Sequence, residues 1–393
     1  VHSDIRGPLF VEAMKRQKQG IDILKLNTGN PATFGFGLPD SIKNALMEHM
    51  QDGVGYCDFK GMPQARQAIC DYETSKGIKG ITPDDVFIGN GVSEVVSFAL
   101  TPLLNDGDEV LVPSPSYSLW GNSVYLEDGK PVFYTCDEQA NWYPDIQDIR
   151  SKITDKTKAI VIINPNNPTG VLYPKELLLE IIQVARESGL LIFADEIYDR
   201  LVMDGKQHIS LASLTEDVPV ITLNGLSKSH CLCGYRCGWM VISGPRELTE
   251  DYRQGIIQLT SLRLCANTMA QIVIPAALDD METPASMVRP GGRIYEQREA
   301  TVRELEKIDG LSFVKNDAAF YVFPKLDVKK FNITNDKQFA HDLLDATNIL
   351  LVPGSGFDWK DPDHFRIVML PQADILSDAI RRMGTFLDGY KQK

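Results

Sequence analysis

The 393-residue sequence has no apolar run approaching the roughly 18–20 residues of a membrane-crossing helix, so a helical membrane protein is not expected. Basic surplus is missing too: 40 Lys and Arg face 53 Asp and Glu, a formal net charge of −13. Nucleic-acid binding needs a basic face to meet phosphates, and this balance argues against it. Small anionic substrates stay open, because a local pocket can oppose the overall sign. The seven cysteines are an odd number in a long chain. That favours reduced thiols and a cytoplasmic setting over a disulfide framework. His230, Cys231, Cys233 and Cys237 crowd together, but without the paired C-x2-C spacing of a zinc knuckle, so no metal site is expected. There is no low-complexity stretch, repeat or long linker. Val1-His2-Ser3-Asp4-Ile5-Arg6 has neither the apolar core of a signal peptide nor an initiator Met, so the chain is expected to start inside a longer natural one.

What is present is alternation. Short apolar runs at Val86-Asn90, Glu109-Val112, Pro131-Tyr134, Ala159-Asn164, Leu190-Ala194, Val220-Asn224 and Trp239-Ile242 are separated by amphipathic segments such as Pro174-Ser188. That order predicts an α/β fold: a large domain with a mostly parallel, seven-stranded sheet flanked by helices. In such sheets ligands bind beyond the carboxyl ends of the strands. The C-terminal third reads as a smaller α+β unit: a helix over about Arg293-Ile308, a strand at Ala319-Phe323, a helix at Lys337-Thr347, strands at Ile349-Pro353 and Phe365-Met369, and a last helix near Ile375-Tyr390.

Chemistry concentrates at the ends of those runs. Lys228 follows the apolar run Val220-Asn224 in a Gly/Ser-rich turn, with Arg236 shortly after it. A desolvated lysine has a depressed pKa and forms a Schiff base with a carbonyl group. A pyridoxal 5'-phosphate (PLP) site pairs such a lysine with a partner for the pyridine nitrogen. Asp195, ending the strand Leu190-Ala194, is costly to bury unless paired, and a protonated ring nitrogen would be its partner. Gly89-Asn90-Gly91-Val92-Ser93 follows a strand and opens a helix, where free N–H groups of Val92 and Ser93 face an anion. Arg236 offers a guanidinium fork to phosphate oxygens. Asn164-Pro165-Asn166-Asn167-Pro168-Thr169-Gly170 is a rigid turn that holds the Asn167 amide in place. Arg366 interrupts the apolar strand Phe365-Met369, and a buried arginine calls for a carboxylate.

These segments, in this order, resemble the class I aminotransferases of fold type I, over nearly the whole chain. Arg6-Gly7-Pro8-Leu9, Gly29 to Phe36 and Arg263-Leu264-Cys265-Ala266-Asn267 are similar to bacterial glutamate–pyruvate (alanine) aminotransferases. The resemblance implies PLP as cofactor, Lys228 as its covalent anchor and proton carrier, and Ser227 and Arg236 as phosphate ligands. It further implies Tyr117 stacked on the ring, Asn167 and Tyr198 on the phenolic oxygen, Arg366 on the substrate's α-carboxylate with Asn167 also reaching substrate, and Gly29 touching substrate through its backbone. Tyr56, in Gly55-Tyr56-x4-Gly61-x4-Arg66, would serve the phosphate of a neighbouring subunit, which implies a homodimer with shared sites. Arg263 is the candidate for glutamate's second carboxylate, with a surface or interface salt bridge as the other reading. Gly225 stands where many members have a phosphate-binding serine, so that contact is missing, and Cys231 and Cys237 replace small or aliphatic residues. The implied division is an N-terminal arm (1–40) belonging in part with the small domain, a PLP-binding domain (41–285) and a C-terminal domain (286–393). The implied reaction is ping-pong transfer between alanine/pyruvate and glutamate/2-oxoglutarate. Another class I specificity or a PLP-dependent C–S β-lyase would share every cofactor residue. A PLP-sensing transcription regulator would need a DNA-binding module and suits the acidic charge poorly.

Overall fold

The run Thr157–Ile163 shows why a parallel sheet forms. Six of its seven residues are buried, so both faces are covered, as helix-flanked parallel strands require. The computed structural model describes residues 3–393; Val1 and His2, the start of the expected arm, lie outside the described residues. Its main sheet comprises β1 (Val86–Asn90), β2 (Glu109–Ser114), β3 (Lys130–Asp137), β4 (Tyr143–Pro144), β5 (Thr157–Ile163), β6 (Leu191–Asp195), β7 (Val220–Gly225) and β8 (Cys237–Ser243). Their order across the sheet is β1-β8-β7-β6-β5-β2-β3-β4. Strands β7, β6, β5, β2 and β3 run parallel. Strand β8 is antiparallel to both β1 and β7, and β4 is antiparallel to β3. All seven expected strands are present. The two-residue β4 adds an edge, so the sheet is eight-stranded rather than seven-stranded.

Helices cover the sheet through apolar stripes. Helix Lys175–Ser188 buries Leu177, Leu178, Ile181, Ile182, Val184 and Ala185 and ends at Gly189 with φ 65°, a left-handed stop that glycine accepts without strain. Each large side chain so buried contributes about 1.5–3 kcal/mol of transfer free energy. A second apolar core joins Leu26 from the N-terminal arm to Leu305, Phe339, Leu343, Ile367, Leu376 and Met383. Beside it lies a three-stranded antiparallel sheet in which Phe365–Val368 is central between Tyr321–Val322 and Val352–Pro353. The expected single strand Ile349-Pro353 is split: Ile349–Leu350 pairs instead with Leu24–Lys25 of the arm.

Candidate active site

Topology gathers the predicted residues along one edge. The carboxyl ends of β5, β6 and β7 deliver the Asn164–Gly170 turn, Asp195 and the short helix Leu226–Ser229 that carries Lys228. Strand β2 leads to Tyr117, and β1 leads into helix Val92–Leu100. Strand β8 runs the other way, so its start meets their ends: Cys237 pairs with Asn90 and Gly238 with Gly225. Arg236, immediately before β8, is thereby brought to the same edge.

An anion cradle forms there. Helix Val92–Leu100 opens on Gly91, with φ 83° and no side-chain cap, so its first N–H groups face outward unpaired by a capping side chain. A Cβ on Gly91 would lie 2.1 Å from Nη2 of Arg236, so glycine is what lets the guanidinium reach the helix end. Arg236 itself donates only to the carbonyl of Cys233, at 2.8 Å. Arginine fork, helix dipole and free amides together suit a phosphate. Ser93 is exposed at the same helix end, and Ser227 is partly exposed beside Lys228.

Asp195 is buried, and its carboxylate accepts from Trp120 Nε1 at 3.0 Å and from the Ile197 amide at 3.4 Å. Burial pushes its pKa up to about 6 against those two hydrogen bonds. Neither donor carries a charge, so the acid has room for a cationic partner. Lys228 Nζ donates to the carbonyl of Gly29 at 2.9 Å, with Cys233 Sγ at 3.8 Å. Its pKa departs from the expectation in direction. Burial pulls the ammonium down, but Tyr321 foremost, then the Cys233 thiol and Tyr117, outweigh burial and Arg366 and hold the pKa above the ordinary lysine value. The surroundings of Lys228 thus oppose the depression read from its apolar context.

Arg366 sits at the centre of the small sheet, 1% exposed. It donates to Asn167 Oδ1 at 2.9 Å and to the carbonyl of Asn27, while its Nε has no partner. The guanidinium is sandwiched between the rings of Tyr321 and Phe357, at 4.6 and 4.7 Å from their centroids. Burial lowers its pKa below the ordinary arginine value. Tyr198, also buried, shares a 2.9 Å hydrogen bond with the hydroxyl of Tyr321. Gly29 is held tightly: a Cβ there would lie 2.2 Å from the Tyr321 oxygen. Asn167, Tyr198, Lys228, Gly29 and Arg366 are thus linked through shared contacts.

Three predicted residues differ from these in exposure or in partners. Tyr56 is 84% exposed and Tyr117 is 38% exposed, so both present their rings outward. Arg263, read either as the partner of glutamate's second carboxylate or as a salt bridge, is engaged within the chain: it pairs with Glu94 at 2.5 Å and donates to the carbonyls of Ile88 and Phe59. The crowded thiols are unpaired, and Cys233 donates to the carbonyl of Ser227 at 2.9 Å.

Two contributors were not among the residues singled out, Trp120 on Asp195 and Tyr321 on Tyr198 and Arg366. Only an aromatic residue near each motif hinted at them, and aromatics in strands and helices are ordinarily packing. Beside the site, Glu73, Glu196 and Asp199 close around Lys76 Nζ at 2.7, 2.8 and 3.2 Å. Glu196 and Asp199 with His208 have the spacing of a metal site, but the Lys76 ammonium already supplies the cation.

A mostly parallel sheet that gathers an amine, a buried acid and an anion cradle at its carboxyl edge has the architecture of the fold type I enzymes. The chain belongs to the family of class I and II aminotransferases, whose pattern it matches over residues 21–380. It is 51% identical over 389 residues to the glutamate-pyruvate aminotransferase AlaA of Haemophilus influenzae, covering 99% of this chain and 96% of that one. It is 46% identical over 390 residues to an alanine aminotransferase of Mycobacterium tuberculosis, covering 99% and 91%. Among solved structures, an aminotransferase from Escherichia coli superposes with a TM-score of 0.98 at 48% identity, covering 100% of this chain and 97% of the other.

Proposed function

We propose that this protein is an alanine (glutamate–pyruvate) aminotransferase that uses PLP and moves an amino group reversibly between L-alanine/pyruvate and L-glutamate/2-oxoglutarate in a ping-pong cycle. Arg366 carries the reading. A buried guanidinium with neutral partners and an unpaired Nε is costly until an anion reaches it. All four substrates share the α-carboxylate that would complete it. The names of the relatives support the particular pair of acids.

The residues fit the cofactor. Val92, Ser93, Ser227 and Arg236 would hold its phosphate, with Tyr56 of a second subunit; Tyr117 would cover the ring; Asn167 and Tyr198 would meet the phenolic oxygen. Asp195 would pair with the ring nitrogen, and Lys228 would anchor the carbonyl carbon. When bound, the cofactor supplies an electron sink for the α-carbon. Arg366 and Asn167 orient the carboxylate, and Gly29 lines the substrate through its backbone. Lys228 takes the α-proton of the amino acid, and returns a proton to that carbon when the substrate is a 2-oxo acid. Arg263 already has Glu94 as its partner, which favours the salt-bridge reading over a contact with glutamate.

The test is direct. Purified PLP-loaded protein is mixed separately with alanine, glutamate, aspartate and cystathionine, and absorbance follows conversion to the pyridoxamine form. Conversion by alanine and glutamate, reversed by pyruvate and 2-oxoglutarate, is expected. Release of pyruvate and sulfide or thiol from a sulfur substrate, with no such conversion, would identify a C–S lyase instead.

We also infer a homodimer with shared sites and a cytoplasmic enzyme. Exposed Met50, Val54, Tyr56, Leu262 and Leu264 support the first; they lie in segments joined by the bond from Thr268 to the Gly53 carbonyl at 2.6 Å. Seven free thiols support the second. Among the described residues, no helix is long and apolar enough to cross a membrane. The division into 1–40, 41–285 and 286–393 is supported by the core that Leu26 shares with Leu305 and Met383.

A further inference from the structure

Tyr321 stands where the separate parts of the site meet. Its hydroxyl is 2.9 Å from that of Tyr198. Its ring bears on the Arg366 guanidinium at 4.6 Å. Its oxygen fills the space that the missing side chain of Gly29 leaves. Only 2% of the residue is exposed, so bulk water does not satisfy the phenol.

The direction of the Tyr198–Tyr321 bond follows from counting protons. A phenol has one proton to donate and lone pairs to accept with. If Tyr198 gives its proton to the phenolic oxygen of the cofactor, as proposed above, its oxygen is left as an acceptor. The group within reach is Tyr321. The charged groups around this pair are Lys228, Arg366 and Asp195, with Tyr117 near both cations. Burial, reinforced by Tyr321, holds the Tyr198 pKa far above the usual range, so it remains a donor at neutral pH.

We propose that Tyr321 is a positioning residue that donates its hydroxyl proton to Tyr198 and thereby fixes the Tyr198 proton on the cofactor's phenolic oxygen. This rests on the reading of the site under Proposed function. A donor that itself receives a hydrogen bond is polarised and donates more strongly. The two-phenol chain should therefore stabilise negative charge on the cofactor oxygen, which lowers the pH at which the bound chromophore changes colour.

The experiment is a substrate-free absorbance titration of the PLP-loaded enzyme. Tyr321→Phe keeps the ring against Arg366 and removes only the hydroxyl. Its colour-change midpoint should rise by roughly half a pH unit, the scale of one hydrogen bond acting at one remove. Tyr198→Phe should raise it further, and the double variant should match Tyr198→Phe alone. Replacement of Tyr321 by 3-fluorotyrosine, a stronger donor of nearly the same shape, should move the midpoint down. The KM for alanine should hardly change in Tyr321→Phe, because the ring still supports Arg366. A shift in Tyr198→Phe with none in either Tyr321 variant would overturn the proposal, and so would shifts that add in the double variant. No shift in Tyr198→Phe itself would overturn the site reading, and this inference with it.

Discussion

Two lysines, Lys76 and Lys228, differ in the partners their surroundings supply. Lys76 has three carboxylates within 3.2 Å. Although burial pulls its ammonium down, Glu196, Glu73 and Asp199 hold it well above the ordinary lysine value. Asp199 is further held by Tyr72 and Asn224 at 2.6 and 2.8 Å, and Glu196 by Ser210 and the Leu211 amide at 2.9 and 3.0 Å. Lys228 instead has one backbone carbonyl and one thiol. Saturated charge holds a structure in place, whereas charge left short of partners is available to a ligand.

Deleting each lysine gives the widest separation. Lys228→Ala should lose transamination by about four orders of magnitude or more, since its covalent and acid–base roles vanish together. Its thermal midpoint should stay near that of the parent. Borohydride reduction and peptide mapping of the parent should place the cofactor label on Lys228. Lys76→Met should do the reverse. It strands three buried carboxylates, a loss of about 3–5 kcal/mol of stability, while leaving the reacting groups in place. Unfolding and single-turnover measurements on both variants check this, and equal catalytic losses would break the comparison.

The same contrast recurs between two buried arginines, on a smaller scale. Arg298 grips both carboxylate oxygens of Asp204 at 2.6 and 2.7 Å and donates to the Asn316 carbonyl at 3.1 Å. Arg366 has neutral partners only. Arg298→Met should therefore cost about 1–3 kcal/mol, the scale of lost charged hydrogen bonds, because the partly exposed Asp204 regains water when its partner is gone. Arg366→Met should leave the thermal midpoint of the substrate-free protein unchanged or higher. It should raise the KM for every amino and 2-oxo acid by about 10²-fold, the scale of a lost charge pair. A large stability loss in Arg366→Met would show that this guanidinium is structural.

How much of this was legible in sequence follows from locality. Five of the seven expected strands run parallel, and their largely apolar runs reflect cover on both faces, so the pattern survives in one dimension. Strand β4 has two residues and no period to detect. Ile349-Pro353 read as one strand, since nothing local signals that Leu24–Lys25 claims its first half. Asp195, Lys228 and Arg366 were legible because each is a polar residue in an apolar context, and Asn167 because two Asn-Pro units make a rigid turn. Tyr321 and Trp120 were not, because an aromatic residue announces packing and conceals the polar tip that matters here. The upward direction of the Lys228 pKa involves Tyr321, distant in sequence, and no local pattern carries that proximity.

Asp195 sharpens the contrast through pH. Its folded pKa of about 6 lies above that of a solvated aspartate. A raised folded pKa means that the native state binds the proton more tightly than the unfolded chain. The stabilisation is complete below about pH 4 and is lost as pH rises through about 6, amounting to about 3 kcal/mol. In the cofactor-free protein, Asp195→Asn should therefore flatten the pH dependence of the thermal midpoint between these limits relative to the parent. With cofactor, binding through the phosphate should persist while α-proton removal slows, because the ring nitrogen loses the anion that keeps it protonated. Unchanged turnover would refute the pairing with the ring.

Arg263 should give the smallest effect and the finest discrimination. Glutamate brings a second carboxylate to a pocket that must also accept the methyl group of alanine, and that carboxylate needs a donor when desolvated. Arg263 is partly buried and tied to Glu94 at 2.5 Å, whose carboxylate also accepts from the Asn90 amide at 2.7 Å. Asn90 precedes Gly91, so the pair buttresses the start of the helix that forms the anion cradle. Arg263→Ala should therefore weaken cofactor retention modestly, by roughly the 1–3 kcal/mol of a charged hydrogen bond, and change the KM values for alanine and glutamate alike. Arg263→Lys should restore part of the loss. A KM increase confined to glutamate and 2-oxoglutarate, with cofactor affinity intact, would instead mean that Arg263 leaves Glu94 to meet the second carboxylate. It would then belong with Arg366, among the cations completed by substrate, rather than with Arg298.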